Sequence, residues 1–108
     1  MDSRYTYRIS WSEDDGEFVG TCAEFPSLSH LDKTDERALL GIKTLVSSVV
    51  ADMVDAGKTP PAPIATKKYS GQFVVRIPPS LHRELAIEAS EQNISLNRLV
   101  SAKLSRRR

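Results

Sequence analysis

The stretch QFVVRIPP, residues 72–79, decides how the second half of this chain folds. Apolar side chains alternate with others along residues 72–77, which is typical of a short β-strand with one apolar face. Pro79 suits the first turn of a helix, and Ser95 suits the N-cap of a second helix. The pattern therefore predicts a unit made of one strand and two helices.

A lone strand leaves its backbone hydrogen-bonding groups without partners, and the nearest equivalent strand belongs to a second copy of the chain. Two such strands would pair antiparallel about a two-fold axis, so we expect a homodimer. The predicted dimerisation residues are those of the apolar face, Phe73, Val75 and Ile77. A second contact through the first half of the chain, which would make a tetramer, is left open.

The opposite face of this two-stranded ribbon carries residue types that suit DNA. In the major groove arginine pairs with guanine, glutamine pairs with adenine, and an apolar group contacts the thymine methyl. The candidate base-reading residues are Gln72, Val74 and Arg76. Free backbone N–H groups at the start of the second helix suit a phosphate. The candidate phosphate-binding residues are Ser95, Leu96 and Asn97. The alternative is that these are ordinary surface residues, with Val74 merely favouring the strand.

The first half of the chain predicts a small antiparallel sheet and one helix. Two alternating segments within residues 5–22 flank a polar turn and predict a hairpin, and residues 28–31 predict a short third strand. An amphipathic pattern that starts at the N-cap Thr34 and ends at Gly57 predicts a helix packed on the hairpin. The alternation places Trp11 in the core. The chain is thus predicted to be α+β.

Three prolines within residues 60–63 cannot continue the helix and predict an extended, semi-rigid linker. The predicted organisation is a first domain at 1–57, a linker at 58–68 and a second domain at 69–108.

The net charge differs in sign between the two halves of the chain. Residues 1–66 carry six Lys/Arg and eleven Asp/Glu, a net charge of −5, whereas residues 67–108 carry nine and three, a net charge of +6. Two partners of opposite charge are one interpretation, and two solvated surfaces are the other.

Composition argues against several other classes of protein. No apolar run approaches the roughly 20 residues that cross a bilayer, and the first ten residues lack the apolar stretch of a signal peptide. We therefore expect a cytoplasmic protein with no membrane partner. Cys22 is the only cysteine, and neither His30 nor His82 has a partner at metal-ligand spacing, so we expect no metal and no cofactor. A nucleophilic pair of Cys22 and His30 is supported by residue type alone.

Residues 69–105, YSGQFVVRIPPSLHRELAIEASEQNISLNRLVSAKLS, resemble a ribbon-helix-helix DNA-binding domain in the strand, the prolines after it and the Ser-Leu-Asn helix start. The whole chain resembles HicB-type antitoxins of bacterial toxin–antitoxin pairs. The first half contributes YTYRISWSEDDGEFVGTCAEFPSL and TDERALLGIKTLV to this resemblance, and both halves occur in the family's order around the proline-rich segment.

The resemblance implies a truncated ribonuclease H-like domain at 1–57, which binds and blocks a HicA-type toxin that cleaves mRNA. It implies a ribbon-helix-helix domain at 69–108, which dimerises on an operator with an inverted repeat and represses the operon. No catalytic residue is expected, because the strand at residues 5–11 lacks the acidic residues of a metal nuclease. A stand-alone repressor without a toxin partner is the main alternative, and a ribonuclease H-like hydrolase is the other.

Overall fold

The computed structural model describes residues 4–106 and divides the chain into two compact units, Met1–Ser70 and Gly71–Arg108. In the first unit a three-stranded antiparallel sheet, ordered β1-β2-β3, packs against one long helix. The elements of the first unit are β1 (Tyr7–Ser12), β2 (Glu17–Cys22), β3 (Ser29–Asp32) and α1 (Asp35–Asp55). The predicted hairpin, third strand and helix are confirmed, and the chain is α+β.

Helix α1 begins and ends where the sequence predicts. The Thr34 side chain accepts a hydrogen bond from the Arg37 backbone N–H at 3.1 Å, as an N-cap residue does. At the other end Gly57 has φ +74° and its N–H bonds to the Val54 carbonyl, while Lys58 N–H bonds to the Met53 carbonyl. This pair of bonds is a Schellman motif, which satisfies carbonyls that the helix leaves open.

The core of the first unit lies between the sheet and α1. Its buried cluster consists of Tyr5, Cys22, Ile42 and Val46, and Ala38 is also buried. The ring of Phe25 meets that of Tyr5 edge-on, with 5.5 Å between centroids. These contacts fix α1 across the sheet, so that one sheet face is covered by the helix.

Gly20 allows α1 to approach the sheet closely. A Cβ at this position would lie 2.6 Å from the Ala38 carbonyl oxygen and 2.9 Å from a methyl carbon of Ile42. Since the nearer atom is backbone, the helix itself would have to move. We expect Gly20→Ala to destabilise the first unit by about 1–3 kcal/mol, measured by urea unfolding. The control is Ala23→Ser, at an exposed position of the same unit. Gly16→Ala does not serve as a control, because Gly16 has φ +63° and a side chain there would be strained.

Trp11 is not a core residue, and the prediction that placed it there is wrong. Its side chain is 51% exposed, although it shares the helix-covered face of the sheet with Ile9. The reason is the position of α1 along the sheet. Ala38, near the start of α1, already lies over Gly20, which pairs with Ile9 in the sheet. Trp11 is two residues nearer the turn, beyond the part of the sheet that α1 covers.

The proline-rich segment packs against the first unit, which the sequence did not predict. Tyr5 Oη donates to the Pro61 carbonyl at 2.8 Å, and the Ile64 N–H donates to Glu24 Oε2 at 2.9 Å. Residues 64–66 form one 3-10 turn, and Tyr69 Oη donates to the Ile64 carbonyl at 2.9 Å. The segment is therefore attached to the first unit at Pro61 and Ile64, and Tyr69 folds back onto Ile64.

Glu24 joins this segment to the sheet through several hydrogen bonds. Besides Ile64, its carboxylate accepts from the Thr6 N–H at 2.9 Å and the Thr6 hydroxyl at 3.2 Å. Burial acts to raise the pKa of Glu24, but the bonds from the backbone N–H groups of Ile64 and Thr6 outweigh it and leave this pKa below its ordinary value. The carboxylate consequently stabilises the fold at neutral pH, and this stabilisation is lost as the pH falls through the lowered pKa.

These contacts predict that a fragment of residues 1–70 is more stable than one of residues 1–57. The shorter fragment lacks the Pro61 and Ile64 partners, and each lost hydrogen bond removes about 1 kcal/mol. We expect thermal unfolding of the shorter fragment at a midpoint several degrees lower at pH 7, with a smaller difference near pH 3. Equal midpoints at pH 7 would show that the packing of the segment is irrelevant to stability.

The second unit contains α2 (Pro79–Glu91) and α3 (Leu96–Leu104), and both helices begin where the sequence predicts. Residues 72–77 form no β-ladder within the described part of this chain. The physical reason is that a ladder needs a neighbouring strand, and within this unit the described residues supply none. The strand therefore remains a prediction for an assembly of two chains.

The core of the second unit is very small in a single chain. Only Ala89 and Leu99 are buried among its described residues. Several apolar side chains of its two helices are exposed, among them Leu81, Ala86 and Leu104. A unit of this size with two buried residues cannot offset its own conformational entropy, and it needs further burial to be stable.

Candidate nucleic-acid interface

The turn between α2 and α3 positions the start of α3. Asn93 adopts φ +57°, a left-handed conformation that asparagine tolerates better than most residues. Its N–H bonds to the Ser90 carbonyl, and the Ile94 N–H bonds to the Ala89 carbonyl, which together form a second Schellman motif. Asn93 thus ends α2 with a left-handed residue, and an asparagine after a helical pattern is a known signal of such an end.

The N-terminus of α3 has the geometry of an anion site. The Ser95 hydroxyl accepts from the Arg98 N–H at 3.0 Å, so Ser95 is the N-cap as predicted. Leu96 and Asn97 are the first two residues of the helix, and their N–H groups have no carbonyl one turn earlier to bond. The helix dipole adds a partial positive charge at this end. The three predicted phosphate-binding residues therefore lie together, while binding itself stays a prediction.

Residues 72–77 are exposed along their whole length. The exposed fraction is 75% for Phe73, 61% for Val75 and 90% for Val74. Apolar side chains at such exposure usually mark a surface that a partner covers. This segment thus presents apolar groups on both of its faces in a single chain.

A groove connects part of this segment with α3. Gln72, Phe73 and Val75 line it on one side, and Asn97, Val100, Ser101 and Leu104 line it on the other. The structure therefore brings the base-reading candidate Gln72 and the phosphate-binding candidate Asn97 to the same groove. Val74 and Arg76 do not line it.

The second unit is basic. Residues 71–108 carry seven Lys/Arg and three Glu, a net charge of +4. Lys103 pairs with Glu88 at 3.1 Å, which links α3 to α2 and neutralises one charge of each sign. Of the basic tail at residues 106–108, only Arg106 lies within the described residues. The remaining excess of positive charge would favour nucleic acid of any sequence.

The titratable side chains of the first unit form separate pairs. Cys22 is buried, and burial raises the pKa of its thiol, which lies 3.5 Å from Glu24 Oε1. His30 Nε2 lies 3.2 Å from Asp32 Oδ2, and its ring packs where a Cβ of Gly41 would otherwise sit. Hydrogen bonds from the Lys33 N–H and from His30 lower the pKa of Asp32. The structure thus gives Cys22 and His30 different carboxylate partners and shows no contact between them.

Within residues 4–106, no three His, Cys, Asp or Glu side chains are grouped so that they could hold a metal ion. No helix in that range is long and apolar enough to cross a membrane.

The fold and these positions define a small α+β protein whose second unit carries helix termini and positive charge suited to an anionic polymer. The HicB family model matches residues 58–104, and this part of the chain is a HicB family domain. The match to this family suggests an antitoxin role, and the family's members are typically not enzymes. No curated protein and no solved structure matches the chain.

Proposed function

We propose that this protein is the antitoxin of a type II toxin–antitoxin pair, which blocks a HicA-type mRNA-cleaving ribonuclease and represses its own operon. The observation that carries the proposal is the HicB family domain at residues 58–104, which spans the predicted ribbon and both helices of the second unit. The family implies a HicA partner. The division of labour between the two units rests on their surfaces.

The second unit dimerises through residues 73, 75 and 77 in this proposal. Pairing two copies of the segment 72–77 satisfies backbone groups that one chain leaves outside any sheet. It also buries apolar side chains that are more than half exposed in one chain, namely Phe73 and Val75. The resulting unit is a ribbon-helix-helix domain completed by a second chain, so folding and dimerisation are coupled.

The ribbon of the dimer reads DNA. Arg76, Gln72 and Val74 lie on the face opposite to the dimerisation residues, and they occur twice in one major groove because the dimer is symmetric. The N-terminus of α3 holds a phosphate with the backbone N–H groups of Leu96 and Asn97. A two-fold reader requires an inverted repeat in the operator.

The first unit binds the toxin. Its residues 1–70 carry eight Lys/Arg and eleven Asp/Glu, a net charge of −3. A ribonuclease that binds mRNA needs a basic surface, so opposite charges would speed association of the two proteins. The sheet with its one covering helix is proposed as a truncated ribonuclease H-like domain that serves binding without catalysis.

The test uses the full chain and the product of the short open reading frame next to its gene. We expect that product to cleave mRNA, the purified chain to abolish cleavage at a stoichiometric ratio, and the chain to bind its own promoter. A chain that binds the promoter but leaves every neighbouring product fully active would instead be a stand-alone repressor. Slow RNA cleavage by the chain alone, dependent on a divalent cation, would favour the hydrolase.

Asn97→Ala keeps the backbone N–H groups but removes a side-chain amide that can also donate to the phosphate. It is expected to weaken DNA binding about evenly across sequences, because a phosphate contact carries no sequence information. The expected loss is about threefold to tenfold, for a contact worth about 1 kcal/mol. The measurement is a titration of the operator and of an unrelated duplex by fluorescence anisotropy. A loss confined to the operator would place Asn97 among the base-reading residues instead.

A further inference from the structure

We infer that Trp11 and the acidic turn beside it form the site on the first unit that captures an arginine or lysine of the basic ribonuclease. This inference rests on the proposed function and names the surface that performs half of it. The surface consists of Trp11, Phe18 and the four carboxylates of residues 13–17, and we call it the Trp11 surface.

Trp11 is the largest exposed apolar group of the sheet. Its side chain is 51% exposed, whereas Ile9, two residues earlier on the same face, packs against the core. Tryptophan is highly buried on average in folded proteins, and it is among the residues that contribute most to protein interfaces. The end of the sheet that α1 leaves uncovered therefore has the character of an interface.

The indole ring is held in place before any partner arrives. Phe18 faces Trp11 across the two strands, with 5.1 Å between ring centroids and an angle of 70° between ring planes. The indole N–H donates to Glu13 Oε2, so one edge of the ring is fixed to the turn. A ring fixed in this way loses little side-chain entropy when a partner binds, which favours affinity.

The charge around Trp11 is of one sign. Glu13, Asp14, Asp15 and Glu17 follow it in the sequence, and no lysine or arginine occurs between residues 9 and 32. Asp15 is ordered by a 2.8 Å hydrogen bond from the Ser12 hydroxyl, which holds one carboxylate of the turn in place. A field of this kind attracts cations and repels a second copy of the same unit.

An aromatic ring beside carboxylates is the chemistry that recognises a guanidinium or an ammonium group. A cation over an indole face gains about 0.5–2 kcal/mol from the ring alone. A neighbouring carboxylate adds a charge-assisted hydrogen bond. A nuclease that holds RNA must expose such cations, so it supplies the complementary group. Occupation of those cations by this surface would also keep RNA away from them.

The sole tryptophan of the chain makes this surface directly observable. We would label the full chain with 5-fluorotryptophan and record the single ¹⁹F resonance of Trp11 during titration with the purified ribonuclease. The expected result is a shift of this resonance that saturates at the same ratio as inhibition of RNA cleavage. A resonance that stays unmoved while cleavage is fully inhibited would overturn the inference and leave the proposed function intact.

Substitutions give the second readout in the full chain. Trp11→Ala is expected to raise the dissociation constant of the toxin complex at least tenfold, and Glu13→Gln threefold or more, with a weaker salt dependence. The matched control is Leu31→Ala, which removes another exposed apolar side chain, 39% exposed, from the opposite face of the sheet. The dissociation constant of the complex between Leu31→Ala and the toxin should equal that of the wild type.

Trp11→Phe keeps an aromatic ring against Phe18 and covers the case in which Trp11→Ala unfolds the unit. The phenyl variant should still bind more weakly, since it lacks the Glu13 hydrogen bond and has a weaker ring field. If Trp11→Ala and Trp11→Phe are both folded and both bind the toxin with wild-type affinity, the inference is wrong. If the unsubstituted chain does not bind the toxin at all, the proposed function is wrong and the inference falls with it.

Discussion

Phe73→Glu is expected to abolish the dimer and with it the fold of the second unit. In a single chain Phe73 is 75% exposed, and a charge at so exposed a position would cost almost nothing. In the proposed ribbon the same position is buried against its symmetry mate, where two unpaired carboxylates would be buried together. The expected cost of Phe73→Glu is therefore close to zero if the chain is a monomer and several kcal/mol if it forms the ribbon.

Analytical ultracentrifugation at micromolar concentration, with circular dichroism of the same samples, measures this effect. We expect the wild-type chain to sediment as a dimer or a larger assembly, and Phe73→Glu to sediment as a monomer with reduced helix content. Val74→Glu is the matched control, because Val74 is 90% exposed and its side chain points to the other face of the segment. Equal behaviour of the two variants would contradict the ribbon.

Arg76→Ala is expected to reduce operator affinity by about thirtyfold to more than ten-thousandfold. Each lost arginine–guanine contact costs about 1–3 kcal/mol, and symmetry removes two copies at once. Affinity for an unrelated duplex should fall much less, so the variant loses selectivity as well as strength. The fold should stay intact, because Arg76 is exposed and lies on the face away from the dimerisation residues.

Arg83→Ala is the control for charge alone. Arg83 is an exposed arginine on α2 of the same unit, and its removal changes the net charge by the same amount. Both variants should show a similar change in the salt dependence of nonspecific binding. Equal losses of operator affinity in the two variants would show that Arg76 acts by charge and reads no base.

Local patterns predicted most of the helices and strands. Thr34, Ser95 and Pro79 begin their helices as expected, since capping and proline geometry depend on a few neighbouring residues. The alternation of side chains, which predicted the hairpin and the third strand, also depends on a few neighbouring residues. The segment 72–77 differs because its pattern describes a strand whose partner is absent from the chain.

Contacts between distant residues could not be read from the sequence. Trp11 follows the alternation of a core strand, and only the position of α1 along the sheet leaves it exposed. The bond from Ile64 to Glu24 joins residues 40 apart, and a proline-rich composition gives no sign of such packing. Of the candidate site, the cap at Ser95 could be predicted, whereas the groove that joins Gln72 to Asn97 required coordinates.

In the proposed function one chain performs two separable tasks, toxin neutralisation by the first unit and repression by the second. The most direct measurement compares the full-length wild type with Arg76→Ala in two assays, operator binding and inhibition of the ribonuclease. We expect Arg76→Ala to lose operator binding and to inhibit the ribonuclease with wild-type affinity. A variant that loses both activities while remaining folded and dimeric, or that keeps both, would contradict this division of tasks.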